Sequence, residues 1–373
     1  MLERGKISSS QLGIMMFLAI IATVVLTVPS ITGKYAGNDM WLSPFWASLS
    51  GFLTLYAMIR LHAIFPGMSI VEYADRIAGV IAGKCIGILY VFFFLQISGV
   101  IVRSYGEFII GSFMERTPLI VVIGSMLLLS AYTVHCGVET VGRVAQFLLP
   151  IFVLPILFMP LLGEDMDFAN IFPILKDGLT PSLMGAITPQ AWFGEFCTIS
   201  LLLPFVSDQD KVLRANIITI ISITVIMSIS NLLILFIFGH DVNDLVYPVM
   251  SAFSYIRIAD FLENLESLVM AMWVVGAFVK IVVFHYVCVL SVSQWFRLSA
   301  YRPVVLPVTL LIGVFCFWSI PNLEVMLTFN ERTFPFWGMF VQTFVPWVLL
   351  VVAWLRFRRR PAQPAGKTGL THP

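Results

Sequence analysis

The chain alternates long apolar runs with short polar breaks. A helix needs about 20 apolar residues to cross a hydrocarbon core. Ten runs of about that length can be marked, at 10–33, 40–60, 79–110, 118–136, 143–162, 182–206, 213–239, 266–295, 304–320 and 334–355. Segments this apolar must be helices, because in lipid every backbone amide is satisfied within its own segment or in a closed barrel. The alternating strands of about ten residues that a barrel needs are missing from the pattern. The pattern predicts an all-α polytopic membrane protein, one transmembrane domain over 1–356. The basic tail at 357–373, rich in Pro, Gly and Thr, is expected to be disordered.

Composition agrees with this reading. Of 373 residues 59% are hydrophobic and 12% charged, whereas soluble domains are about half apolar and a quarter charged. Lys and Arg in the loops set orientation. With the N-terminus inside, inner loops and tails hold 15 of the 22 basic residues, which makes both termini cytoplasmic. The acidic loops at 164–167 and 241–266 then fall outside. The inner loop at 62–79 carries Pro66-Gly67 ahead of Ile70, Val71, Tyr73 and Ala74, the pattern of a short interfacial helix.

A net charge of +1 with no concentrated basic face gives no sign of a nucleic-acid partner. The five cysteines stand singly, with no CxxC, and read as small packed hydrophobes. No Walker loop, GxSxG elbow or HExxH occurs, so no enzyme, cofactor or metal site is expected.

The informative residues are those that are costly in lipid. The first and sixth runs are interrupted by Pro29 and Pro189, each among polar neighbours, and proline removes a donor and frees a carbonyl. With ten runs, the first and sixth open two five-span repeats of opposite topology, at about 10–162 and 182–355. Interrupted helices in corresponding positions of two halves point to a transporter-type site.

Glu195 lies near mid-depth of the sixth run, where a carboxylate must be paired, hydrated or protonated. Lys280 lies at comparable depth in the eighth. It either pairs with Glu195, stands where a sodium ion would bind, or snorkels along its aliphatic stem. The expected solute site takes Thr23, Thr27 and Ser30 from the first run and Gln96 from the third. Gln190, Gly194 and Glu195 come from the sixth, Trp273 and Lys280 from the eighth. Freed amides of a broken helix favour an anionic group, and Glu195 is placed to accept an ammonium. Elsewhere, Arg103 and Glu107 have the spacing of a local ion pair. Gly79, Gly83 and Gly87 recur every four residues, as in a close helix contact. The histidines show no metal-ligand spacing.

Several stretches carry a family likeness: Ile7-Ser8-Ser9-Ser10-Gln11; Ala36-Gly37-Asn38-Asp39-Met40-Trp41; Phe65-Pro66-Gly67 with Val71-Glu72-Tyr73; and Asn170-Ile171-Phe172-Pro173-Ile174-Leu175. They continue with Gly194-Glu195 before Leu203-Pro204-Phe205, Tyr247-Pro248 before Ala259-Asp260-Phe261-Leu262-Glu263 and Leu265-Glu266-Ser267, and Trp273, Gly276-Ala277-Phe278 and Lys280. From Lys6 to about Arg356 the chain resembles the spore germination permease family, the B subunit of nutrient germinant receptors in endospore-forming bacteria.

The resemblance implies the inverted five-plus-five fold of amino acid–polyamine–organocation transporters (LeuT/APC-like), with broken helices one and six. It implies a place in the spore inner membrane beside an A-type membrane subunit and a C-type lipoprotein, and a small-molecule germinant, typically an amino acid. One position departs from the family pattern. Ala22, Thr23 and Val24 stand where small glycines are expected in the first run, which restricts a ligand carboxylate's approach to backbone amides.

Overall fold

The first helix is set by its own cap. The Ser8 hydroxyl accepts the Gln11 amide at 3.1 Å, and the Gln11 side chain accepts the Ser8 amide at 2.9 Å, satisfying two donors reciprocally. In the computed structural model, which describes residues 3–154, 163, 166–255 and 266–357, the chain then continues as helix after helix. The first six are α1 (Ser9–Ala36), α2 (Ser43–Ile64), α3 (Ile70–Ala78), α4 (Val80–Ser112), α5 (Leu119–Cys136) and α6 (Val138–Val153). Three short pieces follow, α7 (Thr180–Ala186), α8 (Pro189–Gly194) and α9 (Ile199–Leu202). Then come α10 (Val212–Phe238), α11 (Pro248–Tyr255), α12 (Glu266–Trp295) and α13 (Val305–Trp318). The chain's last run is α14 (Leu323–Thr328), α15 (Phe334–Gly338) and α16 (Val345–Phe357), joined by π-helical turns at Phe329–Thr333 and Met339–Phe344.

Among the described residues, six helical stretches are long and apolar enough to span a bilayer, the first of them, Ser9–Ile64, containing both α1 and α2. α1 lies at the centre, packed on α6, α7, α10 and α12. Leu128, Phe147 and Leu310, on peripheral helices, leave apolar side chains exposed, as a lipid-facing surface requires. The predicted interfacial helix is α3, with a Ser69–Glu72 capping box.

Two expectations meet a different outcome. The first run is not broken, since α1 is continuous with Pro29 inside it. Hydroxyls close its turns: Thr27 donates to the Thr23 carbonyl at 3.0 Å, Ser30 to Thr27 at 3.0 Å and Thr32 to Val28 at 2.8 Å. Ser and Thr side chains of this kind let a membrane helix carry a proline. The tenth run starts at Leu323, earlier than its apolar pattern suggested, because its first turns carry Asn330, Glu331 and Arg332 in a π-helical stretch.

The sixth run does break. Pro189 opens α8, and a 3₁₀ turn over Glu195–Thr198 separates α8 from α9. Proline is preorganised for a first helical turn. The expectations for the tail at 358–373, the end of the fifth run at 155–162 and the acidic stretches 164–165 and 256–265 lie outside the described residues.

Small residues bring the helices close. At Gly83 a Cβ would run into the Asp75 backbone of α3, and at Gly87 into the Trp295 ring at 2.7 Å. His285 on α12 fastens two further helices. The Thr309 hydroxyl gives its proton to the Val305 carbonyl at 2.7 Å. It therefore accepts from His285 Nε2 at 3.1 Å, and Nδ1 accepts from Ser130 at 2.9 Å.

The Gly83 contact is testable. Gly83→Ala is expected to lower the melting temperature of the detergent-solubilised protein, at a cost of about 1–3 kcal/mol for overpacking. Gly124→Ala, where a Cβ meets nothing within 4 Å, should leave it unchanged. Equal stability of the two variants would show that α3 and α4 are not in close contact.

Candidate functional site

The break in the sixth run places Glu195 at the first residue of the 3₁₀ turn, with α8 ending one residue before it. Lys280 reaches it from mid-α12. The ammonium contacts both carboxylate oxygens at 2.8 Å and the Thr23 hydroxyl of α1 at 3.0 Å. The Lys280 and Glu195 side chains are 1% and 2% exposed, and the ammonium lies 5.5 Å from the Phe284 ring centre. Of the roles open to Lys280 from sequence, the geometry shows the pair with Glu195, and the buried ammonium does not snorkel. A buried pair gains little over apolar packing, but removing one partner strands a charge and costs about 3–5 kcal/mol.

Beside the pair lies a small, partly open recess. Thr23, Leu26 and Thr27 of α1 form one wall, and Ile97, Val100, Ile101 and Ser104 of α4 another. Trp192 of α8 and Trp273 of α12 supply broad aromatic faces, and Tyr247, Met326, Asn330 and Phe334 complete the lining. Trp273 is held rigid by stacking on Tyr105 (5.8 Å, 9°) and by Phe108 at 4.1 Å. Trp192 meets Phe334 edge to face at 5.5 Å.

Five of the nine residues expected in the site meet here: Thr23, Thr27, Glu195, Trp273 and Lys280. The other four lie elsewhere. Ser30 gives its proton to the Thr27 carbonyl. Gln96 accepts the Trp337 indole N–H at 3.0 Å, because α4 turns Ile97, Val100 and Ile101 to the recess instead. Gln190 offers its backbone carbonyl to Ser50 at 2.8 Å, and Gly194 lies against the buried Gln342 side chain. With α1 continuous, the freed amides expected there for an anionic group are absent between Ser9 and Ala36.

Sequence reasoning missed Ser104, Trp192, Tyr247 and Asn330. Asn330 carried a signal, a carboxamide within a helical run, but it lay ahead of the assumed start of the tenth span. Tyr247 stood in one of the family-like stretches, but it precedes α11 in what read as an outer loop. Among the described residues no group of three His, Cys, Asp or Glu is placed to hold a metal.

Two further polar clusters tie the bundle together. Arg103 pairs with Glu107 at 2.6 Å, the predicted i,i+4 contact, and also donates to the Pro321 carbonyl at 2.7 Å, tying α4 to the segment before α14. At the end of the bundle where the chain starts, Glu3 accepts the Arg4 and Gly5 amides and the Tyr301 hydroxyl, each at 2.8 Å, and the Val138 amide at 3.3 Å. Burial pushes the Glu3 carboxyl up, but these hydrogen bonds outweigh it and hold it below its ordinary 4.5. Burial and the Glu3 contact push the Tyr301 hydroxyl up to about 12.

Residues 6–324 match the model of a family described as "Spore germination protein". Curated relatives include spore germination protein KB of Bacillus subtilis, 25% identical over 97% of this chain and 98% of that one. Spore germination protein YndE of the same organism is 24% identical over 79% of this chain and 82% of that one. Among solved structures, MhsT in complex with L-phenylalanine matches with a TM-score of 0.59 at 13% identity, over 94% of this chain and 99% of that one. The nucleobase-cation-symport-1 transporter Mhp1 matches with 0.59 at 13% identity, over 96% of this chain and 80% of that one. At these identities the likeness establishes the fold, that of LeuT-type transporters.

Glu195→Gln and Lys280→Met, made singly, are each expected to lose about 3–5 kcal/mol of stability. The double variant should recover most of it, read as thermal unfolding of the purified protein. A double variant as unstable as the sum of the singles would show that the two groups are not paired. At Glu3 the depressed carboxyl contributes stability at neutral pH that is lost as pH falls through its folded value, below 4.5. Glu3→Gln should be less stable than wild type at neutral pH, with the difference shrinking under acid; a constant difference would remove the linkage.

Proposed function

The chain belongs to the spore germination protein family, and we propose that it is the germinant-sensing membrane subunit of a spore nutrient receptor, binding a small solute in the recess beside Glu195 and Lys280. The observation that carries this reading is that a buried ion pair and a helix break stand against a recess rather than against packed side chains. Ionisable groups at membrane depth mark solute pathways by default, and a discontinuous helix at mid-bundle is the usual wall of a transporter-fold site. The ligand contacts on this reading come from Thr23, Thr27, Glu195, Trp273 and Lys280, joined by Asn330 and Tyr247.

Binding acts by differential affinity for two packings of the bundle. The altered surface is then read by an A-type membrane subunit and a C-type lipoprotein in the spore inner membrane, with both termini on the cytoplasmic side. An amino acid is the germinant that the family resemblance suggests. The transporter fold favours one second reading, a permease that moves its solute across the membrane.

Spores carrying Trp273→Leu or Asn330→Ala should need about tenfold more nutrient for half-maximal loss of optical density, about 1.4 kcal/mol of binding, with receptor levels unchanged on immunoblots. Unaltered dose responses in both would place the ligand elsewhere. Radiolabelled solute added to proteoliposomes separates the two readings: a sensor binds without accumulation, a permease accumulates it.

A further inference from the structure

We propose that an open groove between α2 and α16 binds one anionic phospholipid, with its phosphate on Arg60 and an acyl chain lying along the groove. This site is separate from the recess and stands whether or not the recess takes a solute. α2 and α16 pack against each other, and their ends meet where the Phe65 and Phe357 rings lie 5.3 Å apart. Between them is a space of about 470 Å³. Tyr56, Arg60 and Ala63 of α2 line one side. Trp347, Leu350 and Trp354 of α16 line the other, spaced i, i+3, i+7 on one helix face. That face runs along about 10 Å of helix axis. Leu53, Val348 and Leu355 are exposed apolar neighbours on the same two helices, so the groove opens on a lipid-facing flank.

What distinguishes this groove is its cation. Arg60 is the charged residue among the described residues lining it, with no Asp or Glu beside it, and it enters no salt bridge with a described residue. Its position is built. Nε donates to the Tyr56 hydroxyl at 3.2 Å, the guanidinium carbon lies 5.4 Å from the Tyr56 ring centre, and that ring stacks on Trp347 at 5.9 Å and 21°. An arginine has five N–H donors. The Tyr56 contact uses one, and the other four have no partner among the described residues. A planar fork of unspent donors matches a phosphate.

Other cations at this end of the bundle are committed elsewhere. Arg356 donates to the Ile77 carbonyl, Lys84 to the Trp295 carbonyl, and Arg297 pairs with Asp75. Arg76 lines a different groove, together with Glu72 and Asp75. A further open groove, about 450 Å³ against Ile14, Phe17 and Leu149, is lined by no charged residue. An apolar trough headed by an unpaired guanidinium therefore calls for a ligand that carries an anion and a hydrocarbon chain on one molecule. A basic side chain in the last turns of a membrane helix reaches headgroup level, where anionic lipids concentrate around basic clusters. The three residues that follow α16 in the sequence are Arg358, Arg359 and Arg360.

The test follows the melting temperature of the full-length protein, purified and delipidated in detergent, as phosphatidylglycerol is added. Wild type should show a saturable rise, and phosphatidylcholine with the same chains should need at least about tenfold more lipid for half of it. Arg60→Gln should need about tenfold more phosphatidylglycerol. Arg76→Gln, which removes a charge outside the groove, should match wild type. Ala63→Trp, which fills the groove and keeps Arg60, should weaken the response to both lipids. Glycerol 1-phosphate, a headgroup without chains, should give no rise. Equal responses to the two lipids, or equal losses in Arg60→Gln and Arg76→Gln, would reduce the effect to bulk lipid or bulk charge and overturn the site. A rise with glycerol 1-phosphate alone would overturn the lipid as occupant. No response of wild type to either lipid would overturn the proposal and leave the groove to a helix of a partner protein. If Arg60→Gln does not fold, Ala63→Trp decides, and an unchanged phosphatidylglycerol response there would place the lipid outside the groove.

Discussion

One carboxylate and one ammonium, shut away from water and from lipid, set the terms for the middle of this bundle. Neither charge is tolerable alone at that depth, so three helical segments must be held in register around them. The break in the sixth run delivers Glu195, α12 delivers Lys280, and α1 delivers the Thr23 hydroxyl that takes the third ammonium proton. Because the ion pair is complete within the protein, the adjoining recess is left electrically balanced, and its chemistry passes to aromatic faces, hydroxyls and a carboxamide.

The contrast between the two corresponding helices follows from how each handles proline. In the sixth run Pro189 starts a new helix, and a 3₁₀ turn carries Glu195 into the core. In α1, Pro29 is absorbed, because hydroxyls of neighbouring Thr and Ser residues bond back onto the preceding turn. α1 is thereby a continuous strut through the centre, tied at both ends. Near its start Ile7 bridges to Val206, donating to the Phe205 carbonyl at 3.0 Å. At its far end Lys34 and Tyr35 hold Glu331 at 3.2 and 2.8 Å. Any rearrangement that moved α1 against its neighbours would have to exchange these contacts, which is how a packed bundle comes to have discrete states rather than a continuum.

Much of this was legible in the chain alone. Runs of about 20 apolar residues can only be helices in lipid, so the helix order and most boundaries follow from hydropathy. α12, for example, ends at Trp295, where its pattern marked the end. Glu195 and Lys280 stood out because a charge at that depth needs a reason, and Arg103 with Glu107 followed from helical spacing. What the sequence could not supply was azimuth and partner choice. Gln96 and Ile97 are adjacent in sequence, yet only Ile97 faces the recess. Asn330 and Tyr247 enter the site from segments distant in the chain. Whether Pro29 breaks a helix depends on where nearby hydroxyls point, and whether Lys280 pairs or snorkels depends on how α1, α12 and the broken sixth helix pack. Hydropathy is a property of each segment by itself, whereas a site is a property of how segments are rotated against one another, and only the tertiary structure fixes that.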